Sequence, residues 1–478
     1  MARQVVIIHG WSDTSASFRP LATFLAANGY VPKELWLGDY ISLDDDVRVA
    51  DVGKRMGQVI DQLIASGDLA ASFDVIVHST GGLVAREWLT SYYRGAADKC
   101  PMKRLIMLAP ANYGSKLAAT GKSLLGRVFK GYKNGFQTGT GILNDLELGS
   151  SYQWDLAQRD VLRLPGAGAD RYYGADLVWP FVIVGTHPYA SLLRQLVNEN
   201  GADGTVRVCA ANLNARGVTI DFRYNDPAQM FQPWESRLEF DVPLAVLPTR
   251  THGSIVDPDR STGDSKEDIP ETATEKAQLG QLILQALGCQ TAADYQAIGT
   301  AWDTLTEATA ARSKAAPGKE SGFNPDFYHQ YMQGNFYVID DIGQPVPDYF
   351  LEFYSNTAKR DDAANIYLHS HVIEDVKVNS LNKASRNVYF DRTDLQEGYY
   401  PLVPPQDPAT LFLSISAAPV GKNISYFEPA DASSGNVPIH VEGDLTKRWL
   451  KRNATHFVQI IIPRTPGDDV FRLKKFGA

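Results

Sequence analysis

The chain has 478 residues, of which 44% are hydrophobic and 21% are charged, and its net charge is −9 with a pI of about 5.5. This length predicts roughly two to four domains of ~100–200 residues each. The acidic balance argues against a nucleic-acid partner, because such proteins usually carry a basic face. The three cysteines are far apart and show no metal-binding spacing, so they predict neither a disulfide framework nor a metal site.

The chain begins with MARQVVIIHG, which has one early arginine and a short apolar run but no cleavage pattern of small residues. We interpret this run as a β-strand and expect a cytoplasmic protein, or one exported without a cleavable signal. No apolar run reaches the ~18 residues of a transmembrane segment, so none is predicted.

Strand and helix signals then alternate. The predicted elements, in chain order, are the strand QVVIIHG, the helix SASFRPLATFLAANG, the strand VPKELWLGDY, the helix VADVGKRMGQVIDQLIASG, and the strands FDVIVH, KRLIMLAP, LVWPFVIVGT and TVRVCAAN. Such alternation predicts a mostly parallel sheet with helices on both faces. The acidic run 44–46 is interpreted as a solvated loop and helix start.

The composition changes near residues 308–326, ATAARSKAAPGKESGFNPD, which are rich in small residues and lysine. Beyond them come short alternating runs such as NFYVIDD, DYFLEFYS and HFVQIIIP, which are typical of an antiparallel β-sandwich or barrel. We therefore predict an α/β domain over residues 1–307, a linker over 308–326 and an all-β domain over 327–478.

The stretch FDVIVHSTGGLVAREWL turns from a strand into a helix within a few residues. Ser79 lies at this corner, and Gly81 and Gly82 follow it where the helix and strand backbones must pass closely. An ordinary turn with a glycine hinge is the alternative. Asp203, in NGADGTVRV, and His252, in LPTRTHGSIVD, follow in the order nucleophile, acid, histidine.

These motifs, together with VVIIHGW and LAPANYGS, resemble the lipase and esterase branch of the α/β-hydrolase fold over about the first 290 residues. The family elbow is G-x-S-x-G, and this chain has Val77 at the first glycine position. The resemblance implies that Ser79 is the nucleophile, His252 the base and Asp203 its partner. It also implies that the backbone amides of Trp11 and Thr80 form the oxyanion hole, without a metal or cofactor.

Rival residues exist for two of these roles. His187 follows another strand and is the alternative to His252. The alternatives to Asp203 for the acid are Asp170, Asp176, Asp221 and Asp226, each of which could instead be a helix cap or a turn residue.

Residues 115–176 fill the gap in which family members carry a lid. In KSLLGRVFKGYKNGF, the residues Leu124, Leu125, Val128 and Phe129 form an apolar side that we interpret as substrate-binding. The alternative is a plain amphipathic helix packed on the core.

The sequence thus predicts a carboxylic-ester hydrolase that acts on medium- to long-chain acyl esters and contacts lipid interfaces transiently. A phospholipase, thioesterase or acyltransferase with the same triad, or a non-catalytic lipid-binding protein, are the alternatives. The all-β domain could bind lipid or stabilise a homodimer.

Overall fold

The structure is a computed structural model. It describes residues 4–11, 13–31, 34–120, 139–189, 198–224, 226–259, 271–314, 324–355, 361–403, 410–426, 437–440 and 450–476.

The chain forms two compact units. The first comprises Met1–Ala215, Glu235–Gln330 and Asn453–Thr455, and the second comprises Arg216–Trp234, Tyr331–Arg452 and His456–Ala478.

A six-stranded parallel sheet forms the centre of the first unit. Its strands are β1 (Val5–Ile8), β2 (Leu35–Gly38), β3 (Phe73–His78), β4 (Met102–Leu108), β5 (Trp179–Gly185) and β6 (Leu244–Leu247). The order across the sheet is β6-β5-β4-β3-β1-β2, and every pairing in it is parallel. β3 and β5 are buried along their whole length, as expected for strands covered on both faces. The predicted parallel α/β architecture is therefore confirmed.

Helices follow most of these strands. They are α1 (Arg19–Ala27), α2 (Val49–Ser66), α3 (Gly81–Glu87), α4 (Lys116–Thr120), α5 (Thr140–Leu146), α6 (Ser151–Asp160), α7 (Val208–Ala211), α8 (Ala273–Gly288) and α9 (Ala292–Ala310). Gly29 and Gly67 end the first two with positive φ angles of 93° and 81°, a conformation that glycine adopts without strain.

The predicted strand TVRVCAAN is wrong. Residues 208–211 form the short helix α7 instead, because the carboxylate of Asp203 accepts the backbone N–H groups of Thr205 and Val206 and turns the chain there. The strand that pairs with β5 at this edge of the sheet is β6. A short buried apolar run does not distinguish a strand from a helical turn, so periodicity alone misses this difference.

The second unit is rich in β-structure with several sheets. The largest has the strand order Ile373–Val378, Ser385–Asp391, Tyr331–Asp340, Thr455–Ile462, Ala215–Asp221 and Phe231–Pro233. A three-stranded antiparallel sheet joins Tyr349–Tyr354, Thr410–Ala417 and Val437–His440. Val338, Leu413 and Ile460 are fully buried in the core of this unit. The β-rich region expected after the α/β part is present.

Two features cross the boundaries expected from sequence. The hairpin within Arg216–Trp234 belongs to the second unit although it lies far upstream of residue 327. Residues 308–310 of the expected linker complete α9, and a 3₁₀ turn follows at Ala311–Lys314.

Within the residues described, no helix combines the length and the apolar character needed to span a bilayer.

Candidate active site

Ser79 lies at the corner between β3 and α3 with a φ angle of +54°. Positive φ is strained for a residue with a side chain, and such strain concentrates at functional sites. The backbone is held there because the Ser79 amide donates to the Leu108 carbonyl at 3.1 Å, and the Ser79 carbonyl accepts from Ala111 at 3.2 Å. The expected sharp strand-to-helix turn is therefore present.

Glycines around the corner have no room for side chains. A Cβ atom on Gly81 would lie 2.9 Å from the carbonyl oxygens of Ile8 and His9, and one on Gly10 would lie 2.6 Å from Cβ of Ser79. Val77, which replaces the family glycine, is fully buried. Its Cβ would be 3.4 Å from a Cβ on Gly81, an ordinary contact distance. The corner therefore has room for valine at this position, and Gly81 is required by the Ile8 and His9 carbonyls instead.

The side chains of Asp203 and His252 form a buried pair. Nδ1 of His252 lies 2.8 Å from a carboxylate oxygen of Asp203, and the His252 amide donates to the Asp203 carbonyl at 2.9 Å. The other carboxylate oxygen accepts the amides of Thr205 and Val206 at 2.9 and 2.7 Å. Asp203 is fully buried, so these donors replace the water that its charge would otherwise need.

Ser79 and His252 line one cavity of about 300 Å³. Trp11 and Thr80 line it too. Its apolar wall includes Leu117, Ala118, Leu143, Leu146 and Val206. None of the rivals His187, Asp170, Asp176, Asp221 and Asp226 is among the described residues that line the cavity. The structure therefore brings Ser79, His252, Trp11 and Thr80 to one cavity, with Asp203 behind His252.

The amides expected to form an oxyanion hole have no acceptor among the described residues, since neither the Trp11 nor the Thr80 backbone N–H donates to one. Thr80 is fully buried at the first turn of α3. Donors of this kind are available to an oxygen atom of a ligand in the cavity.

His78, the residue before Ser79, contacts His252 directly. Nε2 of His78 lies 3.0 Å from the His252 carbonyl oxygen, and the two ring centroids are 4.6 Å apart. Burial, together with the neighbouring His252, holds the pKa of His78 well below its usual value. A neutral His78 therefore donates from Nε2 and supports the loop that carries His252.

His9 fixes the strand end on the other side of Ser79. Its Nδ1 contacts the Gly10 carbonyl at 2.7 Å, and its Nε2 accepts the Tyr40 amide at 3.2 Å. The His9 and Tyr40 rings stack in parallel with centroids 4.5 Å apart. Tyr40 was not identified from sequence, because an aromatic residue after a strand carries no specific signal.

The described part of the predicted lid contributes α5, from which Leu143 and Leu146 line the cavity. The acidic run holds this helix, since Asp45 accepts the Thr140 amide at 2.8 Å through its carboxylate. Asp145 in turn accepts the Val49 amide at 3.1 Å. Leu124, Leu125, Val128 and Phe129, predicted to bind substrate, lie outside the described residues.

A buried ion pair ties the helix after Ser79 to the insertion. Nε of Arg86 lies 2.8 Å from Asp160, both side chains are fully buried, and Nη1 donates to the Asn112 carbonyl at 2.9 Å. Next to it, Glu87 pairs with Arg159 at 2.6 Å. These contacts join α3, the helix that follows Ser79, to α6.

No protein-family model and no curated protein matches the chain. Two structures of phospholipase PlaB from Legionella pneumophila are similar to it over the whole length. Each is 25% identical, and the match covers 100% of this chain and 97% of the other, with TM-scores of 0.79 and 0.78. The first of these is a complex with thio-NAD. This similarity and the elbow geometry agree: the chain has the α/β-hydrolase fold, and the likeness to phospholipase PlaB supports a hydrolase of the lipase and esterase type.

Proposed function

We propose that the chain hydrolyses acyl esters of lipids, with Ser79 as nucleophile, His252 as general base and Asp203 as its partner. The observation that supports this proposal best is the 2.8 Å contact between His252 and the buried Asp203, at a cavity that Ser79 also lines. A serine hydroxyl needs a base to become nucleophilic, and an imidazole needs an orienting acceptor to serve as that base.

In the first step, His252 Nδ1–H donates to Asp203, which leaves Nε2 free to accept a proton. Nε2 takes the Ser79 hydroxyl proton as Oγ bonds to the ester carbonyl carbon, and the carbonyl oxygen becomes an anion. His252 then gives this proton to the leaving alcohol as the ester C–O bond breaks. A water molecule attacks the acyl-enzyme in the same manner, its proton returns to Ser79, and the fatty acid is released.

The Trp11 and Thr80 amides would donate to the carbonyl oxygen as it becomes negative. Removal of one such donor typically costs about 3–4 kcal/mol of transition-state stabilisation. Because these donors belong to the backbone, their positions depend on the turn around Ser79 and on the contact between His9 and the Gly10 carbonyl.

For the substrate, we propose medium- to long-chain acyl esters, with phospholipids as the leading class. The apolar cavity wall and the similarity to phospholipase PlaB support this class. A thioesterase or acyltransferase with the same residues is the alternative. The change Leu143→Trp should lower kcat/KM for long acyl esters more than for acetate, because it fills the apolar side of the cavity. An equal loss for both esters would contradict the acyl assignment.

The experiment that tests the mechanism is labelling with a fluorophosphonate, which reacts with activated serines. The unchanged chain should be labelled, and Ser79→Ala should abolish both labelling and hydrolysis of p-nitrophenyl esters. Ser115→Ala is the matched control, because Ser115 lines the same cavity and its hydroxyl is already donated to the Thr205 carbonyl at 2.7 Å. A Ser79→Ala protein that folds and still turns over ester would refute the proposal.

A further inference from the structure

Four large apolar side chains are exposed within residues 470–476, VFRLKKF, in the second unit. Val470 is 51% exposed, Phe471 76% and Leu473 88%, while Phe476 is completely exposed. Elsewhere in the described chain, no stretch of seven residues has more than three such side chains. Exposed apolar groups that cluster in this way mark an interaction site more often than scattered ones do.

The same segment carries three cations in a chain whose net charge is −9. Arg472 pairs with Asp469, whereas Lys474 and Lys475 have no acidic partner among the residues that the structure describes. The segment therefore concentrates positive charge beside its apolar side chains, against the overall charge of the protein.

The segment follows a fixed part of the unit. The strand Arg464–Pro466 pairs with Ile424–Tyr426, and the Gly467 amide donates to the Asn423 carbonyl at 2.8 Å. The Arg464 guanidinium also contacts the Asp340 carboxylate at 2.7 Å. Residues 470–476 therefore begin a few residues after a strand that is held by pairing and by an ion pair.

We propose that residues 470–476 bind an anionic lipid surface and hold the enzyme at the membrane that contains its substrate. This inference rests on the proposed lipid substrate. Phenylalanine and leucine side chains enter the boundary between headgroups and acyl chains, while lysine and arginine remain with the anionic headgroups. A protein partner fits less well, because lysine is depleted at protein–protein interfaces.

The test is co-sedimentation of the full chain with vesicles of diether phospholipids, which contain no ester bond to hydrolyse. Vesicles of phosphatidylcholine alone are compared with vesicles that also contain phosphatidylglycerol. The protein should bind the anionic vesicles more tightly, and added salt should weaken that binding. The combined change Phe471→Ser, Leu473→Ser and Phe476→Ser should lower the affinity by about tenfold or more, and Lys474→Gln with Lys475→Gln should remove the preference for anionic lipid.

A matched control is available in Val376→Ser, Val378→Ser and Leu381→Ser. These side chains are 53%, 46% and 66% exposed, but the lysine among them, Lys377, pairs with Asp375 at 4.0 Å. The control should bind vesicles as the unchanged chain does. Equal binding by the 471/473/476 variant would overturn the proposal, as would a failure of the unchanged chain to bind anionic vesicles. If this variant changed its oligomeric state in the absence of lipid, the segment would contact a second copy of the chain, and the lipid-binding proposal would be overturned.

Turnover of a dissolved short-chain ester and fluorophosphonate labelling are measured on the same proteins. Both should be unaffected by the changes in residues 470–476. If vesicle binding follows the expected pattern but no protein is labelled, the proposed hydrolysis fails while the lipid-binding segment stands. If labelling succeeds and vesicle binding is unaffected by the changes, only the lipid-binding proposal fails.

Discussion

The carboxylate of Asp203 contacts the side chain of His252 at 2.8 Å while its other oxygen accepts two backbone amides. The carboxylate therefore cannot rotate freely, and it presents one acceptor to Nδ1 of His252. In the proposed mechanism this acceptor selects the tautomer whose Nε2 is free to take the Ser79 proton.

Asp203→Asn tests this requirement. The substituted side chain can keep its oxygen towards the amides of Thr205 and Val206, so its new NH₂ group would face His252 Nδ1. Nδ1 would then have to be the acceptor, and the proton would move to Nε2. We expect kcat to fall by roughly 10³- to 10⁴-fold with little change in thermal stability. Asp176→Asn is the control at a rival, exposed aspartate, and a larger loss there would move the acid to that residue.

His78 offers a second prediction, because its Nε2 contacts the His252 carbonyl. His78→Gln retains an N–H donor at the end of the side chain, whereas His78→Leu leaves a buried carbonyl without a partner, which costs about 1–3 kcal/mol. We expect the leucine variant to lose stability and kcat, and the glutamine variant to recover most of both.

The pH dependence of kcat/KM tests the protonation state of His78. Because the pKa of His78 lies well below its usual value, His78 stays neutral where a histidine normally titrates. The acidic limb of kcat/KM should therefore remain in His78→Gln. If this limb disappeared in the glutamine variant, the limb would belong to His78, and the lowered pKa of His78 would be contradicted.

The sequence was sufficient for the parts of the site that depend on local steric rules. Ser79 between a buried strand and Gly81 predicts the corner, because the backbones approach too closely there for a Cβ atom. The order of Ser79, Asp203 and His252 along the chain predicted their roles, and the structure places the side chains of Asp203 and His252 in contact.

Other parts could not be predicted because they depend on contacts between distant segments. The side chain of Asp145 supports α2 through the Val49 amide, 96 positions away, and no local pattern indicates that contact. The hairpin in Arg216–Trp234 belongs to the second unit because Ala215–Asp221 lies beside Thr455–Ile462 in one sheet. Strand pairing over such a separation leaves no periodic signal.

The ion pair between Arg86 and Asp160 gives a prediction about stability. Arg86→Met should lower the free energy of unfolding by about 3–5 kcal/mol, because it leaves a buried carboxylate without its cation. Adding Asp160→Asn to this variant removes the uncompensated charge and should restore part of the loss, as measured by denaturant unfolding. Additive losses in the double variant would contradict strong coupling between the two side chains.

The last prediction concerns Asp145, on the helix that lines the cavity. Burial raises its pKa to about 6, whereas an aspartate in an unfolded chain has a pKa of about 3.9. Between these values the folded state binds more protons than the unfolded state, so the free energy of unfolding falls as the pH rises through this window and levels off above it.

Asp145→Asn retains an acceptor for the Val49 amide without the charge. The drop in stability between about pH 4 and about pH 7 should therefore shrink by on the order of 1–2 kcal/mol in this variant. Asp155→Asn is the control, because that side chain is 65% exposed and pairs with Arg159 on its own helix. Chemical denaturation of the three proteins at both pH values measures the effect, and an identical pH dependence in Asp145→Asn and the unchanged chain would show that this carboxyl does not bind its proton on folding.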